Sequence, residues 1–136
     1  MKKNLLVVFF ISFSYFLNAQ QQIDARIQEV YGSKTQEMVA NNPELLNFLN
    51  NLLNNRIKIQ EEENSKIDSK YPKLSQVKLL NKYNSSLTRD EVFNPSNFNP
   101  LKYNFEFSSN STTMVYQVDN TNYIIVIEPQ STTTNH

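Results

Sequence analysis

The sequence predicts an α+β fold, with N-terminal helices packed on one face of a C-terminal three-stranded antiparallel meander. Two patterns carry this. Apolar residues recur at helical spacing from Ile23 to Ile57, and they alternate with polar ones at period two from Leu101 to Ile127. A third observation is arithmetic: one pair of turns puts the large residues of the alternating part on a single sheet face.

The helices come first. Ile23, Ile27, Val30 and Tyr31 fall at i, i+4, i+7 and i+8 and form one stripe. Gly32, the only glycine in the chain, stops it, because glycine takes a left-handed cap at the least steric cost. Ser33 with Gln36 fits a capping box for a second helix, which uses Met38 and Val39 as its apolar face and ends near Asn41. Asn42-Pro43-Glu44 starts a third helix: an N-cap, a proline suited to the first turn, and an acid that complements the dipole. Leu45, Leu49 and Leu52 then make one row, with Leu46, Leu53 and Ile57 beside it and Phe48 alongside. Burying one such leucine stabilises by about 1.5–3 kcal/mol, so this is the expected core helix.

The middle of the chain is more broken. Glu61 to Lys66, "EEENSK", reads as an exposed helix end or loop. Tyr71-Pro72 marks a break, since the residue before proline is pushed out of helical geometry. Leu74, Val77, Leu80 and Tyr83 follow at steps that fit a short helix, and Thr88 to Glu91 offers a further capping box and one helical turn. Phe93 to Pro100, "FNPSNFNP", repeats Phe-Asn-Pro. It is expected to cross between the two halves of the domain, with Phe93 and Phe98 pinning it to the core.

In the last third, Leu101, Tyr103, Phe105 and Phe107 alternate with polar residues, as do Met114, Tyr116 and Val118, and Tyr123, Ile125 and Ile127. Aromatic and β-branched residues at period two predict strands. A turn over Asn120-Thr121 pairs residues whose numbers sum to 241, setting Tyr116 opposite Ile125 and Met114 opposite Ile127. A loop over Ser108 to Ser111 gives pairs summing to 219, with Phe105 opposite Met114. A slip of one residue in either register turns the apolar set to water. The final strand, Tyr123 to Pro129, is a candidate open edge.

Lys2 and Lys3, the apolar run Leu5 to Phe16 and the ending "LNAQ" form a secretory signal peptide over residues 1–19, with cleavage near Ala19. The run is shorter than the roughly 20 apolar residues of a membrane span. The "NAQ" ending resembles exported proteins of Bacteroidota. The expected product is periplasmic or secreted, with no membrane span in the mature chain. It consists of one small domain over residues 20–130 and a polar tail over 130–136. That domain has a helical part (20–60), an irregular connection with short helices (61–100) and the meander (101–129). There is no cysteine, hence no disulfide and no lipid anchor of the kind that needs a cysteine after the signal. Without Lys2 and Lys3 there are 11 basic and 13 acidic residues, 11 − 13 = −2, which argues against nucleic-acid binding. Eight of the basic residues fall between Arg56 and Arg89, while no Lys or Arg follows Tyr103.

Several chemistries lack their residues. The only histidine is His136, the last residue, so Cys–His and Ser–His–Asp catalysis are not expected, and no catalytic, cofactor-binding or metal residue is assigned. One glycine excludes the phosphate-binding and dinucleotide loops. The leading expectation is a non-enzymatic accessory protein of the bacterial cell envelope, meeting an unidentified protein partner. Candidate contacts are Tyr71, Tyr83, Arg89, Phe93 and Phe98. The alternatives are a small periplasmic hydrolase or lyase using carboxylates, Asp90 with Glu91 or Asp68, and a small-ligand binder with an aromatic pocket.

Overall fold

The computed structural model describes residues 22–130, so the expected signal peptide and the expected polar tail lie outside the described residues. The architecture is α+β: helices N-terminal in the chain pack with a three-stranded antiparallel sheet.

Helix α1 spans Ala25–Tyr31, capped by the Asp24 carboxylate, which accepts from the Arg26 amide at 2.8 Å. Gly32 ends it at φ +53°. Residues Gly32–Lys34 form a 3-10 turn, and helix α2 runs Thr35–Asn41. The expected Ser33 cap is not used; instead the Thr35 hydroxyl donates to the Gly32 carbonyl at 2.7 Å. Helix α3, Pro43–Asn51, starts as its sequence predicts, with the Asn42 side chain accepting from the Leu45 amide at 3.0 Å. Its apolar row is buried: Leu46, Leu49, Leu52 and Leu53 are all core. The helical spacing extends to Ile57, but the helix does not. It loosens into a π-helical turn, Leu52–Arg56, and Ile57 opens strand β1, Ile57–Glu61.

Strands β2 (Met114–Gln117) and β3 (Tyr123–Ile127) form the expected hairpin in the expected register, Met114 opposite Ile127 and Tyr116 opposite Ile125. Asn120 turns it at φ +56°, a conformation that asparagine tolerates better than most residues. The third strand differs from expectation. It is β1, antiparallel to β3 with Ile57 opposite Ile127, giving the order β1-β3-β2. The candidate edge strand β3 is therefore central, paired on both sides.

Residues 101–107 bury as their alternation predicts but do not join the sheet. Leu101, Tyr103 and Phe105 are core and Phe107 is half-buried. Pro100–Lys102 is a 3-10 turn, Tyr103 makes one isolated bridge to Leu79, and the Phe105 ring packs on Tyr116 with centroids 4.6 Å apart. The segment forms a layer over the sheet rather than a strand of it. The expected helix over Leu74 to Tyr83 is only a 3-10 turn, Leu74–Gln76, and Thr88 to Glu91 is not helical.

Candidate functional site

Of the five candidate contact residues, Arg89, Phe93 and Phe98 lie near one another, while Tyr71 and Tyr83 stand apart from them. The Tyr71 side chain is half-buried on the connection. Tyr83 is exposed and stacks on Tyr31, centroids 4.9 Å apart, beside a shallow pocket of about 290 Å³ that also touches Lys34 and Met38. Arg89 donates to the carbonyls of Leu74 and Val77 and lies over the Tyr103 ring. Phe93, half-buried, sits between Phe98 and Tyr123 at 5.1 and 5.4 Å. Phe98 is core and stacks on Tyr103 at 5.4 Å. The Phe-Asn-Pro repeat is thus a seam, its two rings packed inward.

Three carboxylates do share a cleft of about 390 Å³ with Arg89, Phe93 and Tyr103: Asp90, Glu91 and Asp119. Two are already engaged. Asp90 takes the Lys102 ammonium at 2.6 Å, and Lys102, though charged, is buried. Asp119 accepts from the Ser75 hydroxyl at 2.6 Å and from its amide at 2.9 Å. Partial burial alone would raise the Asp119 carboxyl, but these bonds, its own amide and nearby Lys73 together hold it below the ordinary aspartate value. A general acid needs the opposite shift. Asp68 does not line this cleft; its carboxylate caps the turn at the Lys70 amide. Among the described residues no cluster of three or more His, Asp or Glu side chains is placed to hold a metal.

The sheet edges differ from one another. Along β2 the outer side meets the chain at Pro72–Lys73, where the Gln117 amide donates to the Pro72 carbonyl at 3.0 Å. Along β1 the outer side is open among the described residues. The Glu62 amide donates to Asn122 and the Glu128 amide to Arg56, both at 2.8 Å, so even-numbered residues of β1 face β3. Odd-numbered ones aim their backbone groups outward. Among the described residues nothing bonds the N–H or C=O of Ile59, the C=O of Ile57 or the N–H of Glu61.

Beside this edge lies a notch of about 570 Å³. Ile57 and Ile59 form one lip, Pro95 to Phe98 with Pro100 the other, and Leu53 and the start of α1 the end. The seam segment therefore has a second effect: it stands off from β1 and leaves a slot of mixed lining at the strand's flank, apolar along Leu53, Ile57, Ile59 and Phe98 and polar at Asp24, Arg26 and Asn97. Sequence reasoning missed this site because Ile57 reads as the last apolar residue of a helix. A signal was present, since Ile57, Ile59 and Lys58, Gln60 alternate over a short stretch.

No family model, curated protein or solved structure matches the chain. Among the described residues no helix is long and apolar enough to cross a membrane.

Proposed function

We propose that the protein is an exported, non-enzymatic module of the bacterial cell envelope that works by protein–protein contact, with the outer edge of β1 and its notch as the contact surface. The observation that carries this is the pairing of unbonded strand groups with an adjoining slot whose lip at Ile57 and Ile59 is apolar. An open edge supplies main-chain hydrogen bonds to an incoming strand, and a flanking pocket takes alternate side chains of that strand. The signal-like N-terminus supports export.

The experiment is site-specific photocrosslinking in the native cell. A photoreactive residue at Gln60 or Ser96, beside the edge and the notch, traps protein adducts; one at exposed Val92 does not. Equal trapping at all three sites, or none, removes the reading. N-terminal sequencing of the exported protein should begin at Gln20.

The carboxylate cleft supports a second reading, a small hydrolase or lyase, on the single ground that Asp90, Glu91 and Asp119 line it together. Its test is turnover of a panel of ester and glycoside substrates that is lost in both Asp90→Asn and Asp119→Asn.

A further inference from the structure

We propose that β1 pairs antiparallel with β1 of a second copy of this chain, across a two-fold axis through Ile59, so that two three-stranded sheets become one continuous sheet. This rests on the reading of the β1 edge as the contact surface and names its partner.

The hydrogen-bond pattern fits such an axis. It sets Ile59 opposite Ile59 and Ile57 opposite Glu61, all residues whose backbone groups point outward. Each Ile59 N–H then donates to the other Ile59 C=O, and each Glu61 N–H donates to the other Ile57 C=O. The Ile57 N–H is already satisfied by the Leu52 carbonyl in the π-helical turn, so it needs no partner there. The Ile57 C=O, both groups of Ile59 and the Glu61 N–H are then used on both copies, and the Glu61 C=O stays with solvent.

Charge decides the direction. The stretch Arg56 to Glu63, "RIKIQEEE", is basic in its first half and acidic in its second. Parallel pairing would set like charges together; antiparallel pairing sets basic against acidic. With the axis at Ile59, Lys58, which pairs with Glu128 in its own copy, faces Gln60 of the other copy directly, with Glu62 on one diagonal, a distance long side chains span, and the other Lys58 on the opposite one. This occurs twice by symmetry.

The side chains decide the register. An axis at Lys58 sets two lysines against each other. An axis at Gln60 sets Glu61 against Ile59 at the apolar lip of the notch. The axis at Ile59 instead brings Ile59 of each copy to the notch of the other, where Leu53, Phe98 and Pro100 leave room for it.

The test is the mass of the purified exported protein by sedimentation equilibrium, with four variants. The wild type forms a concentration-dependent dimer. Ile59→Pro removes an outward N–H that the fold does not use, so it leaves the β1–β3 ladder intact and gives a monomer with unchanged far-UV circular dichroism. Lys58→Glu and Glu62→Lys each weaken dimerisation about tenfold by opposing like charges, and an equimolar mixture of the two regains it as a heterodimer. The double variant Lys58→Glu/Glu62→Lys dimerises by itself. A wild type that stays monomeric overturns the proposal, as does a dimer that survives Ile59→Pro or shows no rescue in the mixture. If the protein is monomeric but the Gln60 photocrosslinker still traps a different protein, the contact surface stands and only its partner is wrong. If it traps nothing, both fall.

Discussion

Lys102 Nζ lies 2.6 Å from Asp90 Oδ1, yet only 5% of the lysine is exposed. Glu29 is the other acid nearby, at 3.7 Å, and is itself held by the Asn99 amide at 2.8 Å. The pair ties the start of the 101–107 layer to the connection before the seam. Removing one partner of a fully buried ion pair costs roughly 3–5 kcal/mol, because a buried charge is left unmatched. The Asp90 side chain is 35% exposed and Glu29 remains, which reduces the penalty. Asp90→Ala should therefore destabilise by about 2 kcal/mol in urea unfolding. Lys102→Met, which removes the buried charge itself, should cost clearly less.

Gly32 is needed for its backbone and not for lack of space. Its φ is +53° with ψ −130°, while a Cβ built there would meet Asn84 only at ordinary contact distance, 3.7 Å. Gly32→Ala should destabilise by about 1–3 kcal/mol through backbone strain alone. Trimming the neighbour, as in Gly32→Ala/Asn84→Ala, should not recover that loss. Thermal unfolding of both variants checks this.

Arg56 is the buried clamp between the helical layer and the sheet. Its Nε donates to the Glu128 carbonyl at 2.9 Å and its Nη2 to the Phe107 carbonyl at 2.7 Å, and Nη1 is buried without a partner. Burial without a carboxylate lowers the guanidinium pKa from its ordinary value. A lysine cannot bridge two carbonyls at these positions. Arg56→Lys should cost about 2 kcal/mol, the scale of a charged hydrogen bond lost in the interior. Glu128→Ala keeps the backbone carbonyl and loses only the exposed pair with Lys58, so it should change stability by about 1 kcal/mol or less.

Acid sensitivity follows from Asp119 and Asp24, both held below the ordinary value of 3.8 in the folded chain. For Asp24 the main cause is the side-chain bond from Arg26. A depressed folded value means that the unfolded chain binds protons first as pH falls. The stabilisation is present above 3.8 and is lost as pH drops through the lower folded values. Urea midpoints should fall below about pH 4, and Asp119→Asn should flatten part of that fall. At the alkaline end the Tyr103 hydroxyl is raised, chiefly by burial and next by Asp90. Stability should accordingly decline as pH rises past the free tyrosine value of 10.0, less so in Tyr103→Phe.

The local grammar of the chain was legible because its causes are local. The Asn42 cap, the proline in the first turn of α3, the Gly32 stop and the hairpin register around Asn120 each depend on a few adjacent residues. The buried faces were legible too, since alternation at Leu101, Tyr103 and Phe105 says which side chains leave water. Alternation does not say which backbone receives the hydrogen bonds. The edge of β3 went to Ile57–Glu61, whose five residues follow a helix without an intervening glycine or proline to announce a strand. Phe93 and Phe98 meet inside the seam with Arg89 beside them, while Tyr71 and Tyr83 lie elsewhere, because packing in the fold and not residue type decides which of these side chains meet.

The amino-acid sequence by itself determined the α+β class, the helix starts, the β2–β3 register and the absence of thiol and histidine chemistry from the described domain. Only the tertiary structure decided that helix α3 runs directly into a strand, that this strand becomes the exposed edge, and that the seam leaves a notch beside it. The reason is physical. Caps, turns and side-chain period are set within a few residues, whereas the choice of strand partner compares free energies of segments some 70 residues apart, as Ile57 and Ile127 are.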